Sequence, residues 1–146
     1  NYCKEKGYLC EYVVEPKPLG TGGALKFSEP FFNNNRKFIV LNGDTYIEED
    51  LEKIYNEHNS RSDIATVLYA QSVVDGILRP AGVWIFSSSI FRYIKNGENI
   101  SLEDVLERCK VRKVYSTMRY IDIGTHESLR FCKEKLLKVD NGNSQK

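Results

Sequence analysis

No stretch of this 146-residue sequence is apolar for more than a few residues. That is far short of the ~20 residues needed to span a bilayer, so a membrane partner is not expected. A dominant charge of one sign is also missing, because 21 Lys+Arg oppose 20 Asp+Glu and leave +1. Long-range attraction to nucleic acid or anionic lipid is therefore not expected either. The N-terminus, Asn1-Tyr2-Cys3-Lys4-Glu5-Lys6, has neither the apolar core of a secretory signal nor an initiator methionine. It reads as a cytoplasmic chain that starts inside a longer reading frame. Cys3, Cys10, Cys109 and Cys132 form no CxxC pair and no finger-like spacing with His58 or His126. Reduced thiols are the expectation, rather than disulfides or zinc.

What is present describes an ordinary globule: 41% hydrophobic and 28% charged residues, too apolar for a disordered chain. The length fits one domain, read as residues 1–139, followed by a polar, frayed tail at 140–146. Tyr12, Val13 and Val14 make Glu11 to Glu15 strand-like. A helix is expected from about Ala24 to Pro30, and Asn33-Asn34-Asn35 reads as a loop. Lys37 to Leu41 reads as a strand buried on both faces and ends at the turn Asn42-Gly43-Asp44. Leu51, Ile54 and Tyr55 at helical spacing predict a helix over Glu48 to His58, with a strand at Asp63 to Ala70. Crossovers of about twenty residues suit parallel βαβ units, hence an α/β fold with a mostly parallel sheet. Further on come a strand at Ala81 to Phe86, a short helix after Ser87-Ser88-Ser89, and a helix capped by Ser101. A strand at Val111 to Thr117 and a final helix from Thr125 complete the pattern, the latter with a solvated face of Arg130, Lys133, Lys135 and Lys138.

Three segments hold candidate chemistry. Gly20-Thr21-Gly22-Gly23 permits a tight turn and close approach of a ligand. It is neither GxGxxG nor a P-loop, and by spacing alone an ordinary loop is the commoner reading. Asp44 follows a strand, at the edge where open α/β sheets bind ligands, and would suit Mg²⁺; an Asx-turn is its structural alternative. Asp122 offers a second carboxylate or a simple turn. His58 reads as a helix C-terminal residue and His126 as a helix start. Trp84 and Phe86 read as strand core, with Trp84 also a candidate to flank a ligand.

Taken together, these segments resemble the sugar-phosphate nucleotidyltransferase family. Glu15-Pro16-Lys17-Pro18-Leu19-Gly20-Thr21-Gly22-Gly23-Ala24-Leu25 is similar to its E-x-x-PLGTxGAL segment, and Val40-Leu41-Asn42-Gly43-Asp44 to its LxGD motif. Ala81-Gly82-Val83-Trp84-Ile85-Phe86 resembles AGxYxF, Ser101-Leu102-Glu103 resembles SxE, and Asp122-Ile123-Gly124-Thr125 resembles DxGT. The resemblance implies a Rossmann-like three-layer sandwich, incomplete relative to the family. It implies transfer of a nucleotide from an NTP to a sugar 1-phosphate, giving an NDP-sugar and pyrophosphate. Asp44 and Asp122 would be the catalytic Mg²⁺ ligands. Glu15, Pro18, Leu19, Gly20, Thr21, Gly22, Gly23, Asn42 and Gly43 would bind the nucleotide, and Gly82 and Glu103 the sugar. The wording is closest to mannose- and heptose-type members, which makes GTP the expected nucleotide.

Two departures bear on activity. The family's GGxGTRLxPLT loop and PKP lysine would precede Asn1, and Gln71 to Pro80 is too short for its F-x-E-K segment. Arg79 is a nearby cation that matches no motif. Impaired activity of the isolated chain is therefore expected, as is self-association through an edge left by a missing strand to form a homo-oligomer. The alternatives are a non-catalytic nucleotide-binding or subunit-association remnant of the same fold, and a flavodoxin-like binding domain.

Overall fold

Phe38 to Leu41 are apolar at every position, and such a strand needs cover on both faces. A computed structural model describes residues 2–32 and 36–142, with side chains described through Glu134. The expected Asn33–Asn35 loop and residues 143–146 of the expected tail lie outside the described residues. The elements are α1 (Tyr2–Glu5), α2 (Gly20–Phe27), β1 (Lys37–Leu41), β2 (Thr45–Ile47), α3 (Leu51–Glu57), β3 (Ala65–Ser72), β4 (Leu78–Ser87), α4 (Leu102–Glu107), β5 (Val111–Asp122) and α5 (His126–Gly142). One sheet runs in the order β1-β4-β3-β5-β2.

Side-chain alternation along the strands builds two cores. Phe38, Val67, Trp84 and Phe86 point to one face and pack with Leu25 of α2 and Val105 of α4. Leu68, Val83 and Ile85 point to the other and pack with Ile54 of α3. Helices thus cover both faces, in three layers. Helix ends carry ordinary caps. Asp50 accepts from the Lys53 amide at 2.9 Å to open α3, and Ser101 accepts from the Asp104 amide at 3.1 Å to open α4.

The sheet corrects the expectation of mostly parallel strands. Of its neighbouring pairs only β3–β5 is parallel, whereas β1–β4, β3–β4 and β2–β5 are antiparallel. β1 and β3 do point the same way, as a crossover through α3 requires. The long β4 returns from β3 by a tight turn at residues 73–77 and inserts between them. Hydrophobic pattern does not report strand direction, and β1, expected to be buried on both faces, is an outer strand in which Phe38 is buried and Leu41 is 51% exposed.

Glu11 to Glu15 is a second correction. It joins no strand, and Tyr12 and Val14 are exposed. Apolar, β-branched residues favour a strand only where a neighbouring edge supplies hydrogen bonds, and among the described residues none does. α2 begins within the glycines rather than at Ala24, and Asp140 to Gly142 continue α5 rather than fray. Arg130 and Lys133 are exposed as expected; the side chains of Lys135 and Lys138 lie outside those described.

His58 ends α3, as expected of a helix C-terminal residue, and its ring turns into the protein. It is buried at 3% exposure, with Nδ1 2.8 Å from Thr66 Oγ1 and Nε2 2.9 Å from Ser87 Oγ. Ser87 donates to the Asp63 carbonyl at 2.6 Å, so its oxygen accepts from Nε2–H and leaves Nδ1 to accept from Thr66. Burial, first of all, holds the imidazole below its ordinary value of 6.5, with Asp63 opposing. The unfolded chain therefore takes up this proton first as pH falls through 6.5. Stability is present in full above 6.5 and is lost below it, until the folded imidazole is itself protonated. The urea midpoint should be lower at pH 5.5 than at pH 7.5; equal midpoints would rule out a buried neutral His58.

Candidate active site

Two bulges shape one end of the sheet. In β4, Ala81–Val83 stand opposite Leu68 alone, and in β5, Ser116–Met118 stand opposite Ala70 alone. Bulges bend a strand and re-aim its side chains. Gly82 sits within the first with φ +67°, and an added Cβ would lie 2.7 Å from Thr45 Oγ1. Only glycine meets both demands, and its carbonyl accepts from the Asn42 amide at 2.9 Å. The AGxYxF and LxGD segments are thereby locked together.

β2 then pairs with the end of β5, setting Thr45 against Asp122. The Ile123 amide donates to the Asp44 carbonyl at 2.7 Å, and the Gly124 amide to Asp122 Oδ1 at 2.8 Å. A Cβ added to Gly124 would lie 3.0 Å from both Asp122 Oδ1 and Asp44 Oδ2. The two carboxylate oxygens therefore converge to within about 6 Å of each other, around a residue that offers no side chain. Among the described residues neither carboxylate is paired with a lysine or arginine. Two uncompensated carboxylates directed at one place form a donor set suited to a hard divalent cation. The described residues hold no group of three or more such ligands, so oxygens of a substrate or of water would complete the shell.

Beside the pair opens a cleft of about 340 Å³, lined by Asn42, Gly82 and Asp122 among the expected residues. Thr125 adds a hydroxyl, and Ser72, Tyr120 and Ser128 add others that motif reading did not single out. Thr125 closes the DxGT motif and was legible there; Ser72 and Tyr120 reach the cleft through the bulges, which no local pattern announces. Burial pushes the Tyr120 phenol up, so it remains a protonated donor at neutral pH. His126 is the first residue of α5 and Trp84 lies in the core, where its Nε1–H has no partner among the described residues.

The other expected nucleotide residues sit elsewhere. Gly22 and Gly23 are buried, and their amides donate to the Ile100 carbonyl at 2.9 and 3.3 Å. A Cβ on Gly23 would lie 2.4 Å from the Glu98 carbonyl oxygen. Thr21 Oγ1 accepts from the Leu102 amide at 2.8 Å, and the Leu19 carbonyl from the Ile100 amide at 2.9 Å. These glycines therefore serve close packing of α2 against the turn before α4, and two amides of the α2 N-terminus are already engaged. Pro18 and Gly20 are exposed, as is Gly43 in its turn. Glu103 is exposed on the first turn of α4 and does not line the cleft. Glu15 is half-buried, and its Oε1 is buried without a hydrogen-bond partner among the described residues.

Comparison with known proteins places this geometry. Residues 2–75, half of the chain, match the family model for nucleotidyl transferases. The chain is 27% identical over 146 residues to a D-glycero-alpha-D-manno-heptose 1-phosphate guanylyltransferase of Campylobacter jejuni, covering 83% of this chain and 65% of that protein. It is 34% identical over 149 residues to the bifunctional protein GlmU of Fervidobacterium nodosum, covering 96% of this chain and 29% of that one. In structure it is similar to HddC from Yersinia pseudotuberculosis complexed with GMP-PN, with a TM-score of 0.72, 25% identity, and coverage of 86% of this chain and 66% of that one. The chain thus spans about two thirds of the heptose-type relatives and far less of GlmU. No helix among the described residues is long and apolar enough to cross a membrane. On the family match and the shared fold, this chain belongs to the nucleotidyl transferase family.

Proposed function

We propose that the chain carries the metal- and sugar-facing part of an enzyme that couples an NTP to a sugar 1-phosphate, releasing pyrophosphate. The observation that carries this reading is the convergence of Asp44 and Asp122 on Gly124 beside a cleft walled by hydroxyls and an amide. Asp44 and Asp122 would hold Mg²⁺, which when bound neutralises phosphate charge and draws the reacting oxygens together. Thr45, Ser72, Asn42 and Tyr120 supply donors and acceptors matched to sugar hydroxyls. The chain's own residues act by positioning, and no covalent enzyme intermediate is involved.

GTP is the proposed nucleotide. Two relatives of this chain are guanylyltransferases by name, and the HddC structure is a complex with GMP-PN. The unpartnered Glu15 oxygen is the kind of acceptor that the ring N–H and amino group of guanine require. Free cysteines accord with a reducing, cytoplasmic setting, and the outer position of β1 with self-association of the chain into a homo-oligomer. A non-catalytic nucleotide-binding remnant is the second reading. It is favoured by the Ile100 carbonyl, which already occupies the α2 amides.

Calorimetric titration with ATP, CTP, GTP and UTP, with and without Mg²⁺, tests the proposal. Saturable, Mg²⁺-dependent binding that prefers GTP is expected. Absence of nucleotide binding by a folded chain would overturn it, and binding that ignores Mg²⁺ would favour the remnant.

A further inference from the structure

Resting on that reading, we infer that Arg79 anchors the phosphate of the sugar 1-phosphate, exchanging its contact with Asp75 for the substrate's oxygens. Among the described residues lining the cleft, Arg79 is the one cation, and it shares that lining with Asp75 and Asp122. A dianionic phosphate is repelled by a cleft that Asp122 and Asp75 line unless positive charge meets it, and a guanidinium fork is the side chain best fitted to two phosphate oxygens.

The local structure makes this exchange practicable. Arg79 pairs with Ala70 at the head of β4, directly after the tight turn. Its Nη2 donates to Asp75 Oδ2 at 2.6 Å, in a pair whose side chains are both about 40% exposed. Ion pairs so open to water contribute little, so releasing Asp75 is a small cost beside a charge-assisted bond to phosphate. Asp75 has a separate support: its Oδ1 accepts from the Ile77 amide at 3.0 Å. That bond, with Arg79 second, holds the Asp75 carboxyl below its ordinary range, so it stays ionised and keeps the guanidinium parked at the rim. The turn is tied by Gly76 N to the Ser72 carbonyl at 2.9 Å and Ser72 N to the Ile77 carbonyl at 3.0 Å, so only the Arg79 side chain needs to move. Asp75 is thus a positioning residue and also a competitor for the cation.

NMR titration of the ¹⁵N-labelled chain with mannose 1-phosphate, mannose and inorganic phosphate, beside a separate Mg²⁺–GTP titration, decides the matter. In the wild type, mannose 1-phosphate should shift the Ser72, Gly82 and Thr125 amides, and mannose alone should not. Arg79→Gln should weaken that binding by about tenfold or more, as loss of a charge-assisted pair does. Arg79→Lys should recover part of it, Asp75→Asn should strengthen it, and Mg²⁺–GTP binding should change less than about twofold in all three. Unchanged affinity for mannose 1-phosphate in a dispersed, folded Arg79→Gln spectrum would overturn the assignment, with the nucleotide titration untouched. Arg79-dependent phosphate shifts without any nucleotide binding would uphold the anion site and overturn the enzymatic reading instead. No phosphate-dependent shift at all would overturn the role of Arg79 whatever the nucleotide does.

Discussion

Asp44→Asn is expected to reduce Mg²⁺-dependent GTP affinity on the order of a hundredfold, and Asp122→Asn to do the same. The two carboxylate oxygens converge on Gly124, and among the described residues neither is paired with a lysine or arginine, so each variant removes half of the pair's charge toward the ion while keeping its shape. In Asp122→Asn the side-chain carbonyl oxygen would still accept from the Gly124 amide, which leaves the turn intact. Without metal, each variant should be more stable than the wild type, by on the order of 1–2 °C in Tm, because like charges no longer face each other. The pair of readouts separates function from architecture. A carboxylate that merely formed the turn would lose stability on substitution, without any selective effect on metal-dependent binding. Unchanged GTP affinity in either variant would remove that carboxylate from the metal site.

Phe86→Ala should be the most damaging single core substitution tested, costing about 3–5 kcal/mol. Phe86 is fully buried in β4, paired with Phe38 across β1 and with Ala65 across β3, and its ring centroid lies 6.0 Å from that of Phe38. Its removal leaves a cavity where helices α2 and α4 meet the sheet, and backbone pairing on both sides prevents the gap from closing. For a domain of this size the Tm should fall by on the order of 10 °C, a large part of the whole margin. Phe27→Ala is the matched control: Phe27 is 40% exposed, and its loss should cost about 1 kcal/mol or less. Trp84, the single tryptophan, is buried two residues away in the same cluster and reports unfolding by fluorescence. Equal losses in the two variants would show that burial is not what makes Phe86 stabilising.

Much of the element order was legible because local rules governed it. The uninterrupted run Phe38 to Leu41, the spacing of Leu51, Ile54 and Tyr55, and the cap at Ser101 depend on nearest neighbours along the chain. The convergence of Asp44 with Asp122 was expected only through the resemblance, since the 77 intervening residues carry no sign of it. The packing of the glycine run was not legible. Its lack of side chains admits the Ile100 and Glu98 carbonyls, a role that spacing cannot distinguish from admitting a ligand. Glu11 to Glu15 was read as a strand because its composition suits one, but a strand is a property of a pair of segments.

By itself, then, the sequence determined that the segments of β1, α3, β3, β4 and α4 would be regular and which motifs signal the family, because hydrophobic period, capping and turn chemistry act over a few residues. Only the tertiary structure decided that β4 inserts antiparallel between β1 and β3, that two bulges turn Gly82, Tyr120 and Asp122 into one cleft, and that His58 is buried and neutral. Strand partners, bulge positions and burial of a polar ring are set by contacts between segments far apart in the chain. Their free energies depend on what each segment meets rather than on what it is.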